Sequence, residues 1–344
     1  MNATQLNNAF TLFLSLLVEA VPFLMLGVLF SGVLQFFVDE RKLVRLMPKN
    51  AFLGALAGSC MGFLFPVCEC GNVPVARRLL IQGVPSSVAI GFLLAAPTIN
   101  PIVVWATWTA FRDQPELVLL RVLCSLVIAT VIGWVFSVQK DLRPLLQPGV
   151  ARAMLVKHPP KQGTGKPERE GDLSLLQSGT YFLGQANQPI DAAELQAVAI
   201  AATTAGKPFG YKLNLMLESM IQEMRELGGV LVLGSGVAAV IQVFVPREAV
   251  LALGQGPVTS ILAMMLLAAI VSICSTVDAF FALAFSSLFT TGSLLAFLVF
   301  GPMIDLKGIG LMLSIFKPRA IGYLFGLAGL MTFLFGLLVN LYGS

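Results

Sequence analysis

The stretch FPVCECGNVP, Phe65 to Pro74, sets two cysteines, a glutamate, an asparagine and two prolines inside an otherwise apolar run. The chain around it is 57% hydrophobic and only 12% charged. Soluble domains are about half apolar and about a quarter charged, so the composition is that of a membrane protein. Phe10 to Val38, Leu117 to Val138 and Ala320 to Leu341 each exceed the roughly 18 apolar residues that mark a spanning candidate. A bilayer admits only helices or closed barrels, and long unbroken runs select helices. The expected fold is an all-α polytopic membrane protein with about eight hydrophobic membrane segments. The N-terminal run has no basic region before it and no small-residue cleavage pattern after it, which marks a retained first helix. A net charge of +4 points to no nucleic-acid partner. The expected surroundings are the lipid bilayer of the inner (plasma) membrane.

Between Lys140 and Arg169 the hydropathy collapses into Pro, Gly and basic residues, the pattern of a flexible extramembrane linker, with a short amphipathic piece around DAAELQAVAIAAT. The single histidine, His158, lies there, which excludes a histidine relay or histidine metal site within the membrane. On either side the chain repeats weakly at an offset of about 206 residues. Glu19 falls on Glu226, Cys68 on Cys274, Asn72 on Asp278 and Asn100 on Asp305. This organisation gives a membrane repeat at 1–138, a cytoplasmic basic linker at 139–212 and a second membrane repeat at 213–344. The basic clusters fit one orientation if residues 51–85 dip into the membrane and return, and the second half then has inverted topology. Four full crossings in each half are the alternative.

APTINP, Ala96 to Pro101, interrupts a helix long enough to span. Two prolines remove backbone donors, so the helix unwinds there, with Asn100 as the cap of its continuation. Asn72, shortly before Pro74, takes a similar capping role at the tip of the dip. Unwound backbone at membrane depth lines a wet cavity or is buried in protein, and inverted repeats with broken helices are transporter architecture.

The candidate substrate-binding residues are Cys68, Glu69, Cys70, Asn72, Thr98, Asn100, Cys274 and Thr276. Two thiols two residues apart converge on a soft ion when the backbone turns, and point apart on a regular helix. Glu19, Asp278 and Asp305 are candidate coupling groups, since a carboxyl at membrane depth costs about 2.5–3.5 kcal/mol unless it faces a cavity or partner. Lys307 is the nearest cation to Asp305 in sequence. Cys60 and Cys124 read as small packing residues, GALAGSCMG as a close helix contact, and Arg77 and Arg78 as snorkelling to the cytoplasmic surface or, in the alternative, guarding the entrance.

The segment from FPVCECGNVP through APTINP resembles the signature region of the YraQ/ArsP-type predicted permease family. The matching elements are the Pro-x-Cys-x-Cys-Gly core, the following Gly-Val-Pro turn and the apolar helix broken near Pro97. The resemblance implies a permease rather than an enzyme. Some members export organoarsenicals, which implies efflux of a trivalent arsenical or similar thiophilic solute. The chain carries no phosphate-binding Gly-x-x-x-x-Gly-Lys-Ser/Thr loop, so ATP dependence would require an accessory subunit, and no cofactor is called for. A membrane thiol-redox protein using Cys68 and Cys70, a non-transporting complex subunit and a homo-oligomer remain alternatives.

Overall fold

The computed structural model describes residues 3–36, 47–48, 50–65, 68–138, 143–157, 209–244, 256–286 and 288–342. His158, DAAELQAVAIAAT and most of the predicted linker lie outside them. Among the described residues the fold is helical with no strand, and five helices are long and apolar enough to cross a membrane: 6–34, 86–110, 115–138, 291–312 and 318–342.

The first half begins with α1 (Ala3–Phe36) and continues through two short helices, α2 (Ala51–Met61) and α3 (Glu69–Ile81). At 11 and 13 residues, neither α2 nor α3 reaches the length of a crossing. The broken helix follows as α4 (Ser86–Ile99) and α5 (Pro101–Ala110), and α6 (Pro115–Val138) closes the half. Contacts along α4 fix the path of the segment before it. Gly54 abuts Ser87, Gly58 lies on the backbone of Val88 and Gly62 on that of Ala96, so α2 runs parallel to α4. The chain then turns and comes back. Asn72 donates from Nδ2 to the Leu93 carbonyl at 2.6 Å, and α3 ends where α4 begins. Gly83, at φ 81°, makes that second turn, with Val84 N–H reaching the Leu79 carbonyl and Gly83 N–H that of Leu80. This is a Schellman closure, and it requires the left-handed residue that Gly-Val-Pro supplies. Segment 51–82 therefore enters and leaves at the level of the α4 N-terminus, with the Cys-Glu-Cys tip at the level of the break.

Phe65 pins the tip, edge-on to Phe30 of α1 and Phe92 of α4 at centroid distances of 5.3 and 5.7 Å. Gly27 approaches Gly71 so closely that any side chain at residue 27 would meet the Gly71 backbone. α1 and α3 cross there on two glycines.

The second half follows the same plan with α8 (Phe209–Phe244), α9 (Pro257–Val271), α10 (Asp278–Leu283), α11 (Thr291–Met303), α12 (Leu306–Met312) and α13 (Pro318–Tyr342). Asn340 of α13 ties the starts of α9 and α11 together, accepting from Gly292 N–H and donating to the Pro257 carbonyl. Gly301 lies on Ala268, and Leu306 N–H donates to Ser272 Oγ, so α9 and α11 run parallel, as α2 and α4 do. Ser272 has φ 47°, a left-handed conformation that a non-glycine residue holds only when its surroundings enforce it. It turns the chain at the second tip. The leading helices of the two halves are antiparallel: Gly236 lies by Phe13, while Glu223 lies by Ser31. Equivalent elements thus run in opposite directions, the geometry of an inverted repeat. α10, at six residues, is shorter than its counterpart α3.

Two expectations are corrected here. The flexible stretch does not begin at Lys140: a 3₁₀ turn at Arg143–Leu145, a bridge between Leu146 and Phe316 and the helix α7 (Pro148–Lys157) are ordered, with Val150 buried against the core. Likewise α8 begins at Phe209, inside the stretch assigned to the linker. Apolar Leu145, Leu146 and Val150 give this stretch something to bury, which its prolines and basic residues obscure.

The hairpin path is tested by cysteine labelling in a Cys60→Ala background. Asn50→Cys and Pro85→Cys should react from one side of the membrane and Asp113→Cys from the other. A segment that crossed fully would place the first two on opposite sides.

Candidate functional site

The two tips meet at the centre. Cys68 is the N-cap of α3, in extended conformation, and Glu69 is the first helical residue. Sequence reasoning gave the cap to Asn72, which instead lies in the second turn of α3 and spends its amide on α4. The helix starts earlier because Cys68 can already be extended, and Pro74 is accommodated inside it. The turn at Cys68 brings its thiol close to those of Cys70 and Cys274. Cys68, Glu69 and Cys274 present ligand atoms that all lie within 4.8 Å of one another, and all three residues are buried. Two sulfurs and a carboxylate at this spacing, in an apolar interior, suit a soft cation or another thiophilic centre.

Charge at the cluster comes from both halves. Lys307 Nζ is 3.2 Å from Glu69 Oε1 and 4.0 Å from Asp305 Oδ2, with all three side chains at most 5% exposed. The nearest partner of Lys307 is thus Glu69, across the repeat, and not Asp305 beside it in sequence. Neither Glu69 oxygen accepts a hydrogen bond among the described residues, nor does Asp305 Oδ2. Glu19 of α1 completes the group. It lies near Lys307, Glu69 and Cys274, and its Oε1 is buried without a hydrogen-bond partner among the described residues.

The helix breaks position these groups. Asn100 accepts the Val103 N–H on Oδ1 at 2.9 Å and caps α5, with Pro101 at the first helical position. Asp305 does the same for α12, accepting Gly308 N–H at 2.7 Å. The matched residues are therefore matched caps, one neutral and one a carboxylate. Asn100 Nδ2 and Thr98 Oγ1 turn back to the Ala96 and Ala95 carbonyls, so both side chains hold the break. Thr276 is half-buried on the second tip.

Asp278 is engaged elsewhere. Arg121 of α6 grips it at both oxygens, at 3.0 and 2.6 Å, and also donates to Thr107 Oγ1 of α5 at 2.7 Å. Arg121 is 1% exposed, and sequence reasoning passed over it. The signal was present: a lone arginine within the apolar run PELVLLRVLCSLV is a functional candidate by default. Arg77 and Arg78 do not snorkel to a surface. Both are buried, and Arg77 pairs at 3.1 Å with Glu226 of α8, which also carries the buried Glu223 that accepts from Ser31. The carboxylates of α8, the exposed Glu226 and the buried Glu223, are the groups that face these arginines. Cys124 is buried as expected, whereas Cys60 is exposed and plays no part in close helix packing. That contact belongs to the glycines, with Gly58 on Val88.

The family model of a predicted permease matches residues 5–341. The chain belongs to the ArsP-type predicted permease family. Its relatives align with it over nearly the whole chain. The UPF0718 protein YcgR of Bacillus subtilis is 38% identical over 315 residues, covering 92% of this chain and 90% of its own length. A Streptococcus mutans protein, named as a two-component membrane permease complex subunit, is 32% identical over 329 residues, covering 96% and 94%. No solved structure matches. The chain is a multi-pass membrane permease, with the bilayer as its surroundings.

The Arg121–Asp278 pair should dominate local stability. Removing one partner from a buried pair costs about 3–5 kcal/mol, whereas replacing both with apolar residues is close to neutral. Arg121→Ala and Asp278→Ala should each lower the thermal midpoint of the purified protein strongly, and Arg121→Met with Asp278→Leu should recover most of the loss. Equal losses in the single and double variants would deny the pairing.

Proposed function

We propose that this permease is a secondary transporter that exports a small thiophilic solute, a trivalent organoarsenical or a soft metal ion, across the cell membrane. The observation that carries the reading is the convergence of Cys68, Glu69 and Cys274 from two re-entrant tips. A solute bound there touches both halves, and a relative motion of the halves changes which side it faces. Sulfur selects the solute, since thiolates favour soft centres. Cys70 lies within reach of Cys68 and serves as an alternative donor.

In this reading Asn72, Thr98, Asn100 and Thr276 shape the cavity, and Glu19 and Asp305 carry the coupling charge. Asp278 enters the cycle through Arg121. The chain divides into two membrane repeats, 1–138 and 209–344, joined by a cytoplasmic stretch that contains the helix α7. The relative named as a complex subunit favours a second component.

Everted membrane vesicles provide the test. Vesicles containing the wild-type chain should accumulate a trivalent organoarsenical or Cd²⁺, and Cys68→Ser or Cys274→Ser should reduce uptake to the vector background. Deleting Gly163–Gly171 should leave uptake intact. Full uptake by the Cys68→Ser/Cys274→Ser double variant would remove the site, and a reversible Cys68–Cys70 disulfide formed in step with quinone reduction would favour thiol-redox chemistry instead.

A further inference from the structure

We propose that the groove between α6 and α13 seats an acyl chain of a phospholipid, and that Lys317 and Arg319 at its mouth select an anionic headgroup. None of these residues belongs to the thiol cluster.

The groove has a volume of about 470 Å³ and walls that are almost wholly apolar. Trp134, Val135 and Val138 of α6 form one side, Tyr323 and Leu327 of α13 the other, and Leu145 closes one end. Its two long walls therefore come from different halves of the chain. A cavity of roughly 300–1,000 Å³ suits a small ligand, and one with so few polar atoms suits hydrocarbon. Trp134, Val138 and Tyr323 are 46, 73 and 61% exposed, and on membrane helices that exposure is to lipid.

The level of the groove fits a headgroup as well as a tail. Val138 is the last residue of α6 and Pro318 the first of α13, so both helices leave the membrane here. Tryptophan and tyrosine concentrate at this depth, where the ring meets hydrocarbon and the N–H or O–H meets the headgroup region. The Trp134 ring is held edge-on by Phe52 of α2, at a centroid distance of 6.1 Å. Neither its indole N–H nor the Tyr323 hydroxyl bonds to another described residue, which leaves both donors for ester or phosphate oxygens.

The closed end is built by pairing. Leu146 bridges Phe316, the Gln147 N–H donates to the Ile315 carbonyl, and the Lys317 N–H donates to the Leu145 carbonyl at 2.8 Å. This sets Leu145 over the groove and Lys317 next to it. Arg319, Tyr323 and Leu327, each four residues from the next, share one face of α13 over about 12 Å. Charge, amphipathic ring and hydrocarbon thus follow one another in the order of a phospholipid from head to tail. Unlike Arg77, Arg121 and Lys307, neither Lys317 nor Arg319 forms an ion pair among the described residues. Two unneutralised cations above an apolar groove between membrane helices recognise an anionic headgroup. A zwitterionic one would bring its own cation to the same place.

Tryptophan fluorescence provides the test. Of the three tryptophans, Trp105 and Trp108 are on α5 and Trp134 lines the groove. In the full-length Trp105→Phe/Trp108→Phe variant, reconstituted into vesicles, phospholipids brominated on their acyl chains quench Trp134 on contact. Brominated phosphatidylglycerol should bind with about fivefold higher relative affinity than brominated phosphatidylcholine, the factor due to one well-placed cation. Adding Lys317→Gln and Arg319→Gln should bring the two lipids to parity, whereas Lys317→Arg with Arg319→Lys should keep the preference. Parity already in the parent variant, or a preference that survives the two glutamines, would overturn the headgroup selection. Absence of quenching by either lipid would overturn the lipid site and assign the groove to a protein segment.

Discussion

A polar group at the centre of a bilayer must be answered from within the protein, and the whole architecture follows from meeting that demand at one point. Interrupting α4–α5 and α11–α12 exposes backbone donors that no lipid can satisfy. Asn100 and Asp305 satisfy part of that demand as caps. The re-entrant tips fill the space beside the breaks and bring their own helix starts to it. Short helices, close glycine contacts and the left-handed Ser272 all serve to deliver the tips to this level.

Charge is used in a consistent way across this frame. Arg121 pairs with Asp278, Lys307 with Glu69, Arg77 with Glu226, and Ser31 donates to Glu223. Each of these contacts joins a residue of one half to a residue of the other. Buried ion pairs add little net stability relative to apolar packing, but they are intolerant of misplacement. Stability within each half comes instead from apolar helix packing, as between α2, α4 and α6. The halves share one apolar core, and these buried polar contacts are added to it where the two meet.

Much of this was legible in the sequence, and the rest failed for a common reason. Composition and run length gave the helical membrane fold, and Asn-Pro at residues 100–101 gave the broken helix and its cap, because both signals are local. The thiols were legible because Cys-Glu-Cys interrupts an apolar run and because the repeat adds Cys274. What escaped was pairing between halves. Lys307 was matched to Asp305, its neighbour in sequence, when Glu69 lies nearer in space; Arg121 drew no attention because its partner is 157 residues away. Arg77 and Arg78 were assigned to the surface because nothing local reveals the carboxylates on α8. A one-dimensional pattern carries a residue's period and neighbours, but not the register between halves.

The matched caps carry a last consequence. In an inverted repeat the two access states arise when the halves exchange conformations, so identical halves would give states of equal energy. Here the backbone frame is repeated but the charge is not: Asn100 and Asn72 stand where Asp305 and Asp278 stand in the second half, and Lys307 has no counterpart at Ile102. The exchange therefore moves two differently charged halves through different surroundings. States that are related in shape are unequal in electrostatic energy, and any ligand that changes the charge of the central cluster shifts the balance between them. In the transport cycle proposed above, the two states would differ in energy through their side chains, while the repeated backbone frame makes them alike in shape.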